Sequence, residues 1–328
     1  MAEKSFDEYV MVAPGSDYGL AMWADLKRMQ NCTFYDYVLR TNSKLLKFLH
    51  HIHFSFALNK RFDVPLQSVW NGFFSLNQLG LDPCKQYCII FTDISACRVG
   101  KSYLKKLSDL KNVTLVLVLV NVLAAKKRLV LERLPFFSLC FSFDREDCSK
   151  YGFIYHPTFY SKTRENNNVE IETDAFFVGV SKGMRYCKLL KLQQSMEKEG
   201  LRTNFYISHV KSSDKPSGRI HLNKWLGYSE VLDNVMKTRC LVEIMGGNQD
   251  GLTLRAMEAI CYNKLLLTDN PSVKSLPYYE TGFIQYAEDI ENADLAFLNP
   301  NTVVDYHYKG DFSPVHLITH INDVAFNR

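Results

Sequence analysis

A glycine-rich loop near position 250, between an apolar run and a helical pattern, is the segment whose residue types and spacing best suit chemistry. Gly246, Gly247 and Gly251 let the main chain approach a ligand closely. The unpaired amides of the helix that starts near Leu252, and the positive end of its dipole, favour an anion. The loop lacks the Gly-Lys-Ser/Thr of a Walker loop and the Gly-x-Gly-x-x-Gly of a dinucleotide fingerprint. We therefore expect this loop to bind a phosphate.

Two acids, Asp250 within the loop and Glu258 beyond it, have a spacing that suits a nucleotide. Glu258 follows Gly251 by seven residues, which is roughly 10 Å along a helix. A carboxylate there can accept hydrogen bonds from two vicinal ribose hydroxyls while the loop holds a diphosphate. Asp250 would then lie close to a sugar bound to that diphosphate. The alternative is a surface helix in which Arg255 and Glu258 form an i,i+3 ion pair.

The runs 250–259 and 264–270 resemble the donor-binding signature of GT-B fold glycosyltransferases, in which an acid and a later Glu precede an alanine-rich helix and a strand. They are more similar still to bacterial lipopolysaccharide and capsular-polysaccharide glycosyltransferases. The residues that match that pattern are Gln249, Gly251, Leu252, Thr253, Arg255, Glu258, Lys264, Thr268 and Asn270. The similarity covers about residues 140–290, and the earlier part of the chain matches in layout alone.

The resemblance implies that a nucleotide sugar, a UDP- or GDP-sugar, binds the C-terminal domain as a substrate, without a metal or another cofactor. Glu258 would bind the ribose, and Asp250 would contact the transferred sugar, although Asp here replaces the family's Glu. Lys182 or Arg185, where the first strand of that domain turns into a helix, would neutralise the diphosphate. The implied donor-binding residues are Gln249, Gly251, Leu252, Thr253, Arg255, Glu258, Lys182 and Arg185. The acceptor would be a hydroxyl of a glycan or lipid-linked saccharide in lipopolysaccharide, capsule or exopolysaccharide synthesis.

The N-terminal half offers three further candidates. Gly15 and Asp17 lie in the turn after the first strand pattern, where Gly15 would allow close approach of donor or acceptor and Asp17 could act as a base. The alternative for this turn is an ordinary strand-to-helix connection capped by Ser16 or Asp17. His156, beside Pro157, is the other candidate base. An inverting reaction would need such a base, whereas the two acids of the C-terminal motif favour retention by family analogy.

The elements that must position these residues indicate an α/β fold. Continuous β-branched runs, which include 87–92, 113–120 and 240–244, alternate with helical patterns along the 328 residues, and the long apolar region 45–79 is helix-like. Parallel sheets covered by helices on both faces have this pattern. A chain of this length favours two domains. We expect two Rossmann-like domains facing across a cleft, as in the GT-B fold, with bounds of 1–157, a polar linker over 158–173, and 174–312. Residues 313–328 would form a helix that packs back on the N-terminal domain.

Composition and charge indicate the cellular compartment and the kinds of partner. The nine cysteines, mostly within apolar runs, indicate free thiols in a reducing compartment. The N-terminus is not a signal peptide, and we expect a cytoplasmic protein that contacts the inner face of the plasma membrane peripherally. Lys126, Lys127 and Arg128, interleaved with apolar residues, would contact anionic lipid; the alternative is a solvated basic helix face. The modest basic excess, +4 overall, does not favour nucleic-acid binding.

Two other functions fit the same fold. A nucleotide-sugar epimerase would act on the donor without an acceptor. A scaffold that binds nucleotides or carbohydrates without catalysis would tolerate Asp in place of Glu at position 250.

Overall fold

The structure is a computed structural model that describes residues 4–13, 15–62, 64–123, 127–165, 169–211, 220–247 and 251–327. The chain divides into two compact units, Met1–Ser161 with Ser313–Arg328, and Lys162–Phe312. The first unit therefore includes residues 158–161, which the sequence analysis assigned to the linker. Phe159 packs on Trp23 with ring centroids 4.3 Å apart, and Ser161 Oγ donates to Met22 O at 2.8 Å. The sequence analysis assigned Phe159 and Tyr160 to the linker because polar residues follow them directly, and it did not predict that they are buried.

The first unit is built on a parallel six-stranded sheet with the order β2-β1-β3-β4-β5-β6. The strands are β1 (Glu8–Val12), β2 (Cys32–Tyr35), β3 (Tyr87–Thr92), β4 (Val113–Leu119), β5 (Leu139–Ser142) and β6 (Ile154–Tyr155). The apolar run of β3 is buried along its whole length, because helices cover both faces of a parallel sheet. Four of these strands were predicted, and the two edge strands were not.

Short helices connect these strands. They are α1 (Asp17–Met22), α2 (Lys44–His53), α3 (Phe56–Asn59), α4 (Asp93–Ala96), α5 (Lys101–Ser108), α6 (Lys127–Leu131) and α7 (Arg145–Tyr151), with 3₁₀ turns at Ala24–Arg28, Gln67–Phe73, Ser75–Gln78 and Leu134–Phe136. The apolar region 45–79, expected to be helix-like throughout, is α-helical only in α2 and α3. Its remainder consists of 3₁₀ turns and irregular chain.

The second unit has its own parallel six-stranded sheet, with the order β12-β11-β10-β7-β8-β9. Its strands are β7 (Thr173–Val180), β8 (Thr203–Ser208), β9 (Ile220–Leu222), β10 (Thr238–Glu243), β11 (Leu265–Thr268) and β12 (Ile284–Tyr286). Its helices are α8 (Arg185–Lys198), α9 (Tyr228–Met236) and α10 (Leu254–Cys261), with 3₁₀ turns at Pro271–Ser275, Tyr279–Thr281, Ile290–Asn292 and Leu295–Leu298. Since β7 and β10 are parallel neighbours, the loops after them share one edge of the sheet.

The C-terminal helix α11 (Val315–Phe326) belongs to the first unit. Tyr9 Oη donates to Asn322 Oδ1 at 2.7 Å, and the Phe6 and Phe326 rings lie 4.9 Å apart. Ahead of the helix, Ser313 Oγ donates to Asp25 Oδ2 at 2.7 Å. Within the described ranges, no helix combines the length and the hydropathy of a membrane span.

Candidate functional site

Two turns meet at the carboxyl edge of the second sheet, one after β7 and one after β10. Arg185 Nε donates to Ile244 O at 2.6 Å, and its Nη1 donates to Val180 O at 2.8 Å, so this side chain joins the two turns. A Cβ atom at Gly246 would lie 2.9 Å from Arg185 Nη2 and 3.1 Å from Lys182 Cδ. Glycine at 246 is therefore what lets the two cations lie against the loop.

The two cations differ in how they are held. Arg185 is half-buried, and burial lowers the pKa of its guanidinium while the charges of Asp269 and Glu243 raise it. Lys182 is exposed, and no ion-pair partner is found for it among the residues that the structure describes. As far as the described residues go, Lys182 is available to bind an anion, whereas Arg185 holds the turns in place.

The far end of the loop is fixed by side chains from the β11 turn. Gly251 N donates to Ser272 Oγ at 3.1 Å, and Asn270 Nδ2 donates to Gly251 O at 3.1 Å. Gly247 and Gly251 have φ values of 129° and 93°, which other residues adopt only with strain. The amide of Gly251 is therefore bonded within the protein and does not point to a phosphate, contrary to the simplest reading of the sequence.

A buried acid that the sequence analysis did not select lies beneath this loop. Glu243, at the end of β10, is 5% exposed and accepts hydrogen bonds from the hydroxyls of Thr253 and Thr268. Burial raises the pKa of Glu243, and the two hydroxyls lower it. Thr253 Oγ1 in turn accepts from Arg255 N at 3.1 Å and caps α10. Glu243 therefore orients the cap of the helix that was predicted to face the donor.

Asp269 fixes the near end of the loop. Its Oδ1 accepts from Met245 N at 2.6 Å, and its Oδ2 accepts from Lys188 Nζ on α8 at 2.9 Å. The hydrogen bond and charge of Asp269 raise the pKa of Lys188. Glu243 and Asp269 share a signal that could have identified them, since Glu243 is the last residue of β10 and Asp269 directly follows β11.

Glu258, the predicted ribose ligand, is engaged within the protein. It is 1% exposed; Arg255 Nη1 donates to its Oε2, and Tyr228 Oη donates to its Oε1 at 2.8 Å. Burial raises the pKa of Glu258, and the charge of Arg255 opposes that shift. The guanidinium carbon of Arg255 also lies 5.6 Å from the centre of the Phe176 ring. The ion pair foreseen as the alternative is present, but on a buried helix.

The other motif residues have mixed outcomes. Gln249 and Asp250 lie outside the described residues, and Leu252 is half-buried just before α10. Lys264 is buried and donates to Met236 O at 2.8 Å, while burial lowers its pKa to about 8. The ammonium group of Lys264 therefore bonds to the end of α9 and not to the glycine loop. Within the described ranges, no group of three His, Cys, Asp or Glu side chains could hold a metal ion.

Gly15 and Asp17 lie at the carboxyl edge of the first sheet. Gly15 has a φ of 74°, and a Cβ there would lie 3.1 Å from Asp36 O. Its close approach is therefore to the main chain of the same unit. Asp17 is exposed at the first position of α1.

Asp93, at the same edge of the first sheet, is a buried acid that the sequence analysis missed. It is 2% exposed and accepts from Val120 N at 3.1 Å and from Asn121 Nδ2 at 3.3 Å. Burial raises the pKa of Tyr18, and the charge of Asp93 adds to that shift. The polar pair Thr92-Asp93, where β3 ends and α4 begins, was the signal for this residue.

His156 belongs to a pair of histidines in the first unit. Its Nδ1 lies 3.1 Å from His320 Nδ1 on α11, and it lines a small pocket with Phe141 and Phe159. Burial lowers the pKa of His156 to about 4, and the charges of His320 and His316 add to the shift. The imidazole of His156 is therefore neutral at pH 7, and its role as a base stays a prediction.

The basic residues predicted to contact lipid are largely engaged within the first unit. Arg128 Nε pairs with Glu132 Oε1 at 2.7 Å, and Lys127 Nζ lies 5.7 Å from the centre of the Tyr151 ring. Lys126 lies outside the described residues. Neighbouring Arg133 is 2% exposed and donates to the main-chain oxygens of Ala96, Leu129 and Val99. Lys127 and Arg128 are nevertheless exposed, so their contact with lipid stays a prediction.

Comparison with solved structures identifies related folds. A Listeria monocytogenes protein assigned as a UDP-N-acetylglucosamine 2-epimerase is 10% identical, with a TM-score of 0.52 over 99% of this chain and 98% of that chain. An alpha-glucosyltransferase in complex with UDP and DNA is 12% identical, with a TM-score of 0.48 over 95% of this chain and 98% of that chain. The UDP-N-acetylglucosamine 2-epimerase of Rickettsia bellii is 9% identical, with a TM-score of 0.46 over 98% of this chain and all of that chain.

No protein-family model and no curated protein matches the sequence. The similarity to the Listeria structure therefore bears on the fold alone, since one fold supports many reactions. Together with the two parallel six-stranded sheets, it confirms the predicted fold class: the chain is an α/β protein with two Rossmann-like units and the GT-B fold.

Proposed function

We propose that the protein is a glycosyltransferase that moves a sugar from a UDP- or GDP-sugar to a hydroxyl of a glycan or lipid-linked saccharide in cell-surface polysaccharide synthesis. The observation that carries the proposal is Lys182, which is exposed and has no ion-pair partner among the described residues, beside the glycine loop at the carboxyl edge of β7 and β10. Ligands of open α/β sheets bind at this edge. The sequence motif at 249–258 is the reason for proposing a nucleotide sugar as the donor. The resemblance of that motif to polysaccharide glycosyltransferases is the reason for proposing a saccharide acceptor.

The proposed chemistry needs a stabilised leaving group. The acceptor oxygen attacks the anomeric carbon, the bond from that carbon to the diphosphate oxygen breaks, and the hydroxyl proton passes to a base. Lys182 neutralises the charge that develops on the departing nucleoside diphosphate, in place of a metal ion. Arg185 holds the turn that presents Lys182. Asp250 as the contact to the sugar and Asp17 as the base stay predictions.

A ribose contact with Glu258 requires one change in the structure. The carboxylate has both oxygens bonded, to Arg255 and to Tyr228. We propose that a ribose hydroxyl takes the place of the Tyr228 hydroxyl on Oε1, because an ion pair is harder to separate in a buried site than a neutral hydrogen bond. Tyr228→Phe should then bind nucleotide as well as the wild type, whereas Glu258→Gln should bind it more weakly.

An epimerase is the second candidate, favoured by the similarity to the Listeria structure along nearly the whole of both chains. Such an enzyme would change the donor itself, with no acceptor present. A nucleotide-binding scaffold would leave the donor unchanged under every condition.

Incubation with a panel of UDP- and GDP-sugars, with and without saccharide acceptors, tests the proposed reaction. Released nucleotide should appear with an acceptor, and nuclear magnetic resonance should show a new glycosidic bond. Conversion of UDP-N-acetylglucosamine to its 2-epimer without acceptor would instead favour the epimerase. Binding without any turnover would favour the scaffold and contradict the proposed transferase.

A further inference from the structure

An apolar stripe on α2 faces outward from the first unit. Leu45, Phe48, Leu49 and Ile52 follow the i, i+3, i+4, i+7 spacing of one helix face, and they are 65, 59, 44 and 41% exposed. The face that packs inward is different and includes His50, which is 5% exposed. An amphipathic helix normally buries such an apolar stripe against its own core. Here the stripe is left for something outside the unit.

The exposed apolar surface continues beyond α2. Nine of the seventeen exposed large apolar residues in the described ranges fall between positions 45 and 73. In addition to the stripe, they are Leu58, Phe62, Leu66, Val69 and Phe73. We call these nine residues the 45–73 surface. Their concentration in so short a stretch contrasts with the scattered exposed residues that are normal for a protein surface.

Hydrogen bonds fix the later part of this segment to the end of α2. His53 Nδ1 accepts from Trp70 Nε1 at 2.6 Å, which leaves the proton on Nε2 to donate to Pro65 O at 2.7 Å. Asn59 Nδ2 donates to His53 O at 2.9 Å and Gln67 Nε2 to Asn59 Oδ1 at 2.7 Å. The exposure of the 45–73 surface is therefore a property of the folded structure.

Charge identifies what could cover this surface. Residues 40–73 contain five Lys and Arg but a single acid, Asp63. Lys44 and Lys47 lie on the exposed side of α2 beside the apolar stripe, and Lys47 Nζ lies 5.7 Å from the centre of the Tyr37 ring. A second copy of the chain would bring like charges together across an interface. An anionic lipid surface instead supplies an apolar layer beneath negative headgroups.

We propose that the 45–73 surface binds an anionic phospholipid membrane peripherally. The apolar stripe of α2 enters the boundary between headgroups and acyl chains, and Lys44 and Lys47 contact the headgroups. This surface differs from the contact predicted at Lys126, Lys127 and Arg128. The inference goes beyond the proposed reaction, since it needs no nucleotide sugar.

Co-sedimentation of the full chain with vesicles tests the proposal. The wild type should sediment with vesicles of equal parts phosphatidylglycerol and phosphatidylcholine, and much less with phosphatidylcholine alone. Phe48→Ser/Leu49→Ser should lower the partition coefficient more than about tenfold. Lys44→Gln/Lys47→Gln should lower it roughly 30-fold, because each lysine near an anionic surface contributes about fivefold. All four side chains are exposed, so these variants should fold, and circular dichroism checks that they do.

Two control variants distinguish binding through this surface from nonspecific adsorption to vesicles. Lys127→Gln/Arg128→Gln removes the same charge elsewhere on the unit, and Trp225→Ser removes an 84% exposed apolar side chain from the second unit. Both should keep wild-type binding. A Phe48→Trp variant should show a blue shift of its emission on anionic vesicles.

Two results would overturn the proposal. The first is no binding of the wild type to anionic vesicles, or equal binding of the Phe48→Ser/Leu49→Ser variant. The second is a dimer in sedimentation velocity that this variant converts to a monomer without any vesicle binding, which would assign the surface to self-association.

Discussion

Replacing Gly246 by alanine is expected to destabilise the second unit by about 2–4 kcal/mol. The new Cβ would lie 2.9 Å from Arg185 Nη2, about half an ångström inside normal contact. The guanidinium cannot retreat freely, because Nε and Nη1 are bonded to Ile244 O and Val180 O. Each hydrogen bond of a charged donor contributes about 1.5–3 kcal/mol. The expected loss corresponds to one such bond broken and the other strained.

Urea unfolding of matched alanine variants provides the assay. Gly80→Ala is the control, since a Cβ there meets nothing within 4 Å and φ is not positive; it should change the free energy of unfolding by less than about 1 kcal/mol. In the double variant Arg185→Ala/Gly246→Ala, the clash with Nη2 disappears and the two effects should not add. If Gly246→Ala proves as stable as Gly80→Ala, Arg185 does not hold the two turns as described.

Three further outcomes follow from buried polar groups. Burial lowers the pKa of His50 from 6.5 to about 4, so between these pH values the unfolded chain binds more protons than the folded chain. The free energy of unfolding should therefore fall by roughly 3 kcal/mol as the pH drops through this window. Thermal unfolding of His50→Phe should show a flatter pH dependence. The pKa of Lys264 is lowered from 10.5 to about 8, so stability should rise between pH 8 and 10.5, and urea unfolding of Lys264→Met should show no such rise. Arg133→Met should lose about 3 kcal/mol or more, because three buried carbonyls lose their donor, and a similar value for Lys127→Met would contradict this.

The sequence predicted the central strands well because their burial is encoded locally. β3 was predicted over Tyr87–Thr92, as observed, and the predicted ends of β4 and β10 are close to those in the structure. Strands β2, β6 and β9 were missed. All three are edge strands of two to four residues, so they carry little of the continuous apolar pattern that identifies a buried strand.

The candidate site was predictable in place more than in detail. The glycines and the β10–loop–α10 arrangement could be read from local spacing. The partners of Glu258 could not, because Tyr228 lies thirty residues away on another helix. The role of Arg185 depends equally on carbonyls from two different turns. Likewise, the apolar residues between 45 and 73 indicated a helix packed against the core. The tertiary packing, which the local pattern does not encode, leaves the stripe of α2 exposed.

The central claim, that the carboxyl edge of the second sheet binds a nucleoside diphosphate through Lys182, is tested most directly by calorimetric titration with UDP and GDP. The wild type should bind one of them, and Lys182→Gln should bind it about 10- to 150-fold more weakly, the value of one charged hydrogen bond. Lys191→Gln is the matched control, on α8 and paired with Glu291 at 3.3 Å, and should bind as the wild type does. No binding by the wild type, or equal binding by the Lys182 variant, would contradict the account.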